Sequence, residues 1–518
     1  MTPIPNSRSA VFGRSARQSL VIGAALLSSS GTVLAAGSPH SGFVPNTLVV
    51  SRIQFNADTN PARSGETYPA IFNDPNVPGI QGSIFLDSYW PVPNSPRLGS
   101  LPLTGLSVNG TPITTSFSSK SEGALNLSVD GRFLTYLGYV AVPGLEGVSN
   151  SYTTDPNAQL STHVGPFYDR AAALIKFDGS FSVTAEPDAF SGDNPRAATT
   201  VDGQEFYMAG NADSTEYGAA PFTGPGTTIG VRFGAPGSPV SIRLGTYLAT
   251  DRTDESTKKH VKDNNWRGIA IFNNNLYVSK GSGGNGDDGV FQVLNGTGNG
   301  VPAGGTSNQI VPLFGVRATN PVTKASSFLT PFGFWFANPT TLYVADEGNA
   351  TISTTDANGN PVTQLVSDPL AGLQKWVLVS NVWTLEYVIQ DGLQLNQPAN
   401  VPGYPVPTYT TGLRNLTGRV NDDGTVTIYA ITAQYSTISG GEPDPTRLVA
   451  VKDAIAATAL PRERDADQRQ ADFRGNDGDG FDAHHGGDAN DGRWDEFYTL
   501  QSSRAGEVFR GVAFAPQQ

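Results

Sequence analysis

The chain has no cysteine, and among its 518 residues only five histidines and two methionines. The first absence excludes disulfides and thiolate metal sites. The scarcity of histidine leaves few side chains that titrate near neutral pH. Positive charge is also short: 33 Lys and Arg against 46 Asp and Glu give a formal charge of −13. Holding a phosphate backbone needs clustered Lys and Arg, so this balance argues against a nucleic-acid partner.

Long apolar runs are missing as well. The run Leu20 to Leu27 follows Arg8, Arg14 and Arg17 and precedes Val33-Leu34-Ala35-Ala36. It is too short for a membrane span, and its flanks are those of an export signal. We expect residues 1–36 to be a cleaved signal peptide, cut after Ala35 or Ala36. The mature chain, 37–518, is then a secreted or periplasmic protein, a monomer without a membrane span.

Gly (59) and Pro (37) are plentiful, beside 38% hydrophobic residues. That mixture suits a large all-β protein with many turns. One phrase recurs: Ser121-Glu122-Gly123, Pro195-Arg196-Ala197, Trp266-Arg267-Gly268, Pro331-Phe332-Gly333, Leu413-Arg414-Asn415 and Phe509-Arg510-Gly511. Each opens a run of apolar or small residues. In five of the six a tight turn and a second strand follow, with Asp130-Gly131, Asp202-Gly203 and Asp423-Gly424 in the turns. Repetition of one such unit is the mark of a propeller or solenoid.

The last copy has no second strand of its own, and Thr47 to Ile53 has the character to supply it. Ser83 to Leu86 and Leu98 to Leu101 would complete that unit. The expected fold is therefore an all-β, six-bladed β-propeller, closed by N-terminal strands plus the C-terminal innermost strand, which leaves no open sheet edge. The anchors stand roughly 65 to 95 residues apart, against about 40 to 50 in compact propeller repeats. The surplus must be loops: 141–169, 248–265, 345–371 and 390–412 on one face, and an Asp/Gly/His-rich insertion at about 454–496 on the other. Ala454 to Ala459 is the best short helical segment.

The residue after each anchor's first one should lie at the mouth of the central channel. In order these are Glu122, Arg196, Arg267, Phe332, Arg414 and Arg510. Converging arginines focus positive potential, and guanidinium groups fork onto carboxylate or phosphate. They predict an anionic small molecule or acidic glycan as ligand, with Glu122 as acid, base or metal ligand. The plain alternative is that the arginines brace neighbouring blades through carbonyls, with Glu122 paired to one of them.

His163 and His260 fall on the long-looped face and are the acid–base candidates, against two solvated loop histidines. The stretch Asp477 to Asp491 is dense in oxygen ligands, and Asp477, Asp479, Asp482 and Asp488 are candidates for Ca²⁺. Its spacing is not that of an EF-hand, and a polar insertion without a metal is the alternative. Gly281 to Gly289 lacks the Lys-Ser/Thr ending of a phosphate loop and reads as a strand connection. Most tryptophans read as packing between blades; Trp266, beside Arg267, is the candidate to stack on a sugar ring.

The phrases Ser121 to Arg132 and Phe509 to Pro516 resemble a group of secreted bacterial and plant β-propeller proteins of unassigned activity. A looser likeness is to six-bladed calcium-dependent lactonase and esterase-like propellers, in which an early Glu-Gly phrase supplies a metal ligand; Glu122 alone matches it. These likenesses imply a propeller and lean toward a hydrolase (esterase- or lactonase-like) or a lyase. The competing class is a non-catalytic binding or scaffold propeller of the cell envelope.

Overall fold

The computed structural model describes residues 42–55, 79–117, 119–154, 165–212, 230–247, 264–281, 287–304, 308–319, 329–348, 351–355, 361–365, 368–437, 444–460 and 495–518. Among them the chain is strand and turn, with one 3-10 turn at Leu103–Gly105. Ala454 to Ala459 is no helix: the strand Arg447–Ala454 ends there in a turn.

The two ends of the described chain meet as expected. Glu507–Phe514 pairs antiparallel with Leu48–Gln54, Leu48 lying opposite Phe514 and Gln54 opposite Glu507. Leu48–Gln54 pairs in turn with Gln81–Tyr89, and that strand with Gly99–Pro102. Arg52 ties the set together, its Nε donating to Asp87 Oδ2 at 2.6 Å and its Nη1 to Glu507 Oε1 at 3.2 Å.

Antiparallel meanders follow. The first runs Phe133–Val140, Arg170–Lys176 and Phe181–Glu186, with the short Asn126–Leu127 at its inner edge. The second runs Pro195–Thr199, Phe206–Gly210, Arg232–Gly234 and Ile242–Arg243. The third runs Trp266–Phe272, Asn275–Lys280, Asp287–Val293 and Asn308–Thr319, with Gly245–Tyr247 added in parallel at the outer edge. Then come Pro331–Asn338, Thr341–Asp346, Gly372–Val379 and Val382–Ile389. The last runs Thr408–Val420, Thr425–Tyr435, Arg447–Ala454 and Tyr498–Ser502. The turn glycines Gly131, Gly203 and Gly424 have φ of 76°, 83° and 79°, the left-handed geometry that Asp-Gly turns demand.

Six separate sheets were expected, and the hydrogen bonding does not divide that way. It gives four discrete sheets of four or five strands, a small hairpin, and one ten-stranded sheet. The merger has a local cause. Thr111–Ser116 pairs with Gln81–Tyr89 on one side and with Phe133–Val140 on the other, so the terminal set and the first meander share one ladder.

The core explains why the inner strands carry few polar residues. Val49 and Ile53 pack with Leu134 and Ala173, whereas Leu48 and Val50 on the opposite face pack with Tyr429 and Ile431. Likewise Tyr343 and Ala345 join Ile428 and Ala430, while Leu342 and Val344 join Phe334 and Trp383. Side chains alternate across a strand, so a strand buried on both faces feeds two cores. The apolar clusters thus lie between successive strand sets, in a propeller-like arrangement. Each fully buried Leu, Val or Phe contributes about 1.5–3 kcal/mol relative to exposure.

One polar knot interrupts this core. Lys375 and Asp453 are fully buried, Nζ to Oδ2 at 3.1 Å. Lys375 Nζ also donates to Tyr387 Oη at 2.9 Å and to the carbonyls of Ala454 at 2.6 Å and Ala457 at 2.9 Å. Asp453 accepts from Tyr387 Oη at 2.7 Å and from Tyr343 Oη. Asp495 adjoins Asp453; burial, then its hydrogen bond and charge contact with Asp453, pushes its carboxyl up to about 8. Asp453 stands just before the 454–496 insertion and Asp495 near its end, so the knot holds together the two places where that insertion begins and finishes.

Candidate functional site: a ring of buried cations

The anchor positions do converge. Arg196, Arg267, Arg414 and Arg510 are all buried, as is Glu122. Consecutive anchors touch in chain order. Arg510 Nη2 donates to the Phe117 carbonyl at 2.8 Å, and a Cβ on Gly123 would stand 2.8 Å from Arg510 Cβ. That approach, with a φ of 83° at Gly123, excludes a side chain there. Asn194 Nδ2 donates to Glu122 Oε1 at 2.6 Å. Arg196 Nη1 donates to Asn265 Oδ1 and to the Trp266 carbonyl at 3.4 Å. The Arg267 guanidinium lies 4.3 Å from the Phe332 ring centroid and that of Arg414 lies 5.9 Å from it. Val512 N donates to Asn415 Oδ1 at 2.6 Å, which returns the circuit to the terminal strand.

Glu122 sits where no regular strand forms; the chain takes up strand only at Asn126–Leu127. Its carboxylate replaces the missing ladder as a collector of donors. Oε2 accepts from Thr115 Oγ1 at 2.7 Å and Ser116 N at 2.8 Å; Oε1 accepts from Tyr139 Oη and Asn194 Nδ2, each at 2.6 Å. A carboxylate offers about four lone-pair sites, and four donors fill them. Burial raises its pKa, with these hydrogen bonds opposing the rise. A proton-accepting or metal-ligating role would require giving up one of them.

Glu347 is the residue that sequence reasoning missed. It follows the strand Thr341–Asp346, whose last residue pairs with Pro331 at the start of the inner strand. Arg267 Nη1 donates to its Oε1 at 2.7 Å, and Arg414 Nε and Lys120 Nζ each approach Oε2 at 3.5 Å. Phe332, the aromatic exception in the Arg series, lies against Arg267 and Arg414, whose charges its ring face attracts. Burial opposes ionisation of Glu347, but the cations of Lys120, Arg267 and Arg414 hold its carboxyl well below the usual range. Its neighbour Asp346 has no such cations and is pushed by burial up to about 7, despite bonds from Thr330 and Gly348.

Arg196 is placed differently from Arg267 and Arg414, which meet Glu347. It is 5% exposed, yet both of its hydrogen-bond partners, Asn265 Oδ1 and the Trp266 carbonyl, are neutral. Burial first, then the charge of Arg267, pulls its pKa down to about 10. It stays a cation at neutral pH, without a carboxylate in direct contact.

Trp266 does not offer a face to a sugar. It is fully buried, edge-on to Tyr247 and Phe291. The candidates His163, His260, Asp477, Asp479, Asp482 and Asp488, and the signal peptide, lie outside the described residues. Among the described residues no group of three or more His, Asp or Glu side chains is placed to hold a metal. Nor is any described helix long and apolar enough to cross a membrane.

No family model and no curated protein matches the chain. Among solved structures, a protein from Lactobacillus plantarum is similar at 11% identity and a TM-score of 0.32, over 90% of this chain and 99% of that one. A Saccharomyces cerevisiae assembly of a dbp5 variant with nup159, a gle1 variant, IP6 and ADP gives 8% identity and a TM-score of 0.27, over 64% of this chain and 74% of that one. Likenesses this distant carry no argument, and the functional reading rests on the ring.

Proposed function

We propose that the chain is an exported six-bladed β-propeller that binds a small anionic molecule, or the acidic group of a glycan, at its central ring. Two features support the six-blade count. The anchors touch in a closed circuit of six, and the ten-stranded sheet divides at Thr111–Ser116 into two units like the other four. The ligand reading is carried by one observation: Arg196 is a buried cation whose hydrogen bonds go only to neutral oxygens, repelled by Arg267 and attracted by Asp193 and Glu122 without contact. A buried charge without a counter-ion in contact is costly, and an anion brought by a ligand reduces that cost. With the acceptor sites of Glu122 filled, binding without catalysis is the form favoured. A hydrolase or lyase would draw its acid–base group from His163 or His260.

The test is thermal unfolding of the mature protein against citrate, galacturonate, inorganic phosphate and neutral sugars. An anion at about a hundred times its Kd is expected to stabilise by about 2.7 kcal/mol, and a neutral sugar not at all. Arg196→Met should abolish the shift. Because it removes a repelled cation as well as two hydrogen bonds, its own stability should stay within about 1 kcal/mol of the parent. A shift that persists in Arg196→Met, or none from any anion, rejects the reading.

A further inference from the structure

The guanidinium of Arg196 is used on one side only. Both of its hydrogen bonds leave Nη1, to Asn265 Oδ1 and to the Trp266 carbonyl, and its Nε is buried without a partner. The Nε–Nη2 edge, which can fork onto two oxygens, is thus left untaken. Asn265 sets that orientation. It is buried with a φ of 64°, a left-handed conformation that Asn and Asp adopt more readily than other residues with a side chain. Beside it, Asn264 Oδ1 accepts from Ala212 N at 2.9 Å and Asn264 Nδ2 donates to the Ala212 carbonyl at 2.7 Å. Ala212 follows the strand Phe206–Gly210, which pairs with the strand of Arg196. The two asparagines are therefore fastened to the meander that carries the arginine. The backbone at this position would accept aspartate as well as asparagine, and only asparagine leaves the cation without a charge in contact.

We infer that Asn265 is the positioning residue of the anion site: it holds Arg196 by Nη1 without neutralising it, and so presents the Nε–Nη2 edge to a ligand carboxylate or phosphate. This inference rests on the anion-binding reading and adds to it a forked oxyanion as the group recognised. Asp193 and Glu122 attract Arg196 only from a distance. The four donors on Glu122 leave it no lone pair to offer. The neutral oxygen of Asn265 fixes a direction and leaves the charge to be met by the ligand. Two parallel N–H···O bonds need two oxygens at a set spacing, which a carboxylate or phosphate has and a chloride lacks.

The test separates charge from shape. Titration calorimetry with galacturonate, inorganic phosphate and chloride is run on the full mature protein and on Asn265→Gly and Asn265→Asp, with circular dichroism to confirm folding. Asn265→Gly keeps the positive φ and removes the bond to Arg196. It is expected to bind the effective oxyanion about tenfold more weakly, and to lose part of the parent's preference for that oxyanion over chloride. Asn265→Asp keeps the shape and adds a charge beside the arginine, and should bind about tenfold more weakly again. Galacturonate against phosphate tells a carboxylate from a phosphate source. The inference is overturned by a parent that takes chloride as tightly as either oxyanion, by affinity and preference unchanged in Asn265→Gly, or by Asn265→Asp binding no more weakly than Asn265→Gly. Should Asn265→Asp fail to fold, the Asn265→Gly result decides alone. If the parent binds no anion, the broader reading fails and this one with it; if the parent binds, Arg196→Met does not, and Asn265→Gly matches the parent, only this one fails.

Discussion

Glu347→Gln should lower stability by about 3–5 kcal/mol, the usual consequence of removing one partner from a buried charge cluster. Glutamine keeps the shape of the side chain and loses its charge. Arg267 and Arg414 would then lie buried around a neutral amide, with Arg196 already repelling Arg267. The part that Lys120 contributes is small, since it is partly solvated. Guanidinium unfolding of parent and variant measures the effect, and a loss under about 1 kcal/mol would mean that solvent screens the ring.

The same residue predicts an acid dependence. The folded pKa of Glu347 lies below its ordinary value of 4.5. A depressed carboxyl contributes stability that is whole above the unfolded value and is lost as pH falls through the folded one. The parent should therefore weaken on acidification below about pH 4.5, and Glu347→Gln should lack that component of the decline.

Lys375→Met is the second large effect, again about 3–5 kcal/mol, because it leaves Asp453 charged in a fully buried site. Met fits the stem of the lysine but satisfies neither the carboxylate nor the carbonyls of Ala454 and Ala457. Adding Asp453→Asn should recover part of the loss by removing the stranded charge, and chemical unfolding of the two variants checks it. A double variant as weak as the single one would assign the cost to the carbonyls instead. Asp495 adds a slope of opposite sense to that of Glu347. Its carboxyl is raised to about 8, so its stabilising share is whole at low pH and is lost as pH rises toward that value. Asp495→Asn should flatten the fall in stability between about pH 4 and 8.

The strands were legible because apolar runs bounded by Asp-Gly turns obey local rules, and the anchors were legible because they repeat. Pairing of Glu507–Phe514 with Leu48–Gln54 followed from the single copy left without a partner. Two things were not legible. The bridging strand Thr111–Ser116 belongs to neither of the units it joins, so no repeat points to it. Glu347 stands outside the repeated position, after a second strand rather than within a first. The signal was nevertheless present: the end of a second strand lies beside the start of its first, so Asp346-Glu347 had to arrive at the ring. Trp266 was misjudged because its neighbour Arg267 turns inward while the indole turns to the core. Adjacent strand residues face opposite ways.

The pairing of the terminal strands sets a schedule for the growing polypeptide. Ser51 and Gly511, joined by a 2.7 Å bond, are 460 residues apart. While the ribosome makes everything between, the backbone groups of Leu48–Gln54 on that side have no ladder to enter. Contacts this distant in the chain form slowly, because loop closure must come first. The newborn protein must therefore spend its whole synthesis with an adhesive strand exposed, and a holding chaperone would matter most in that interval.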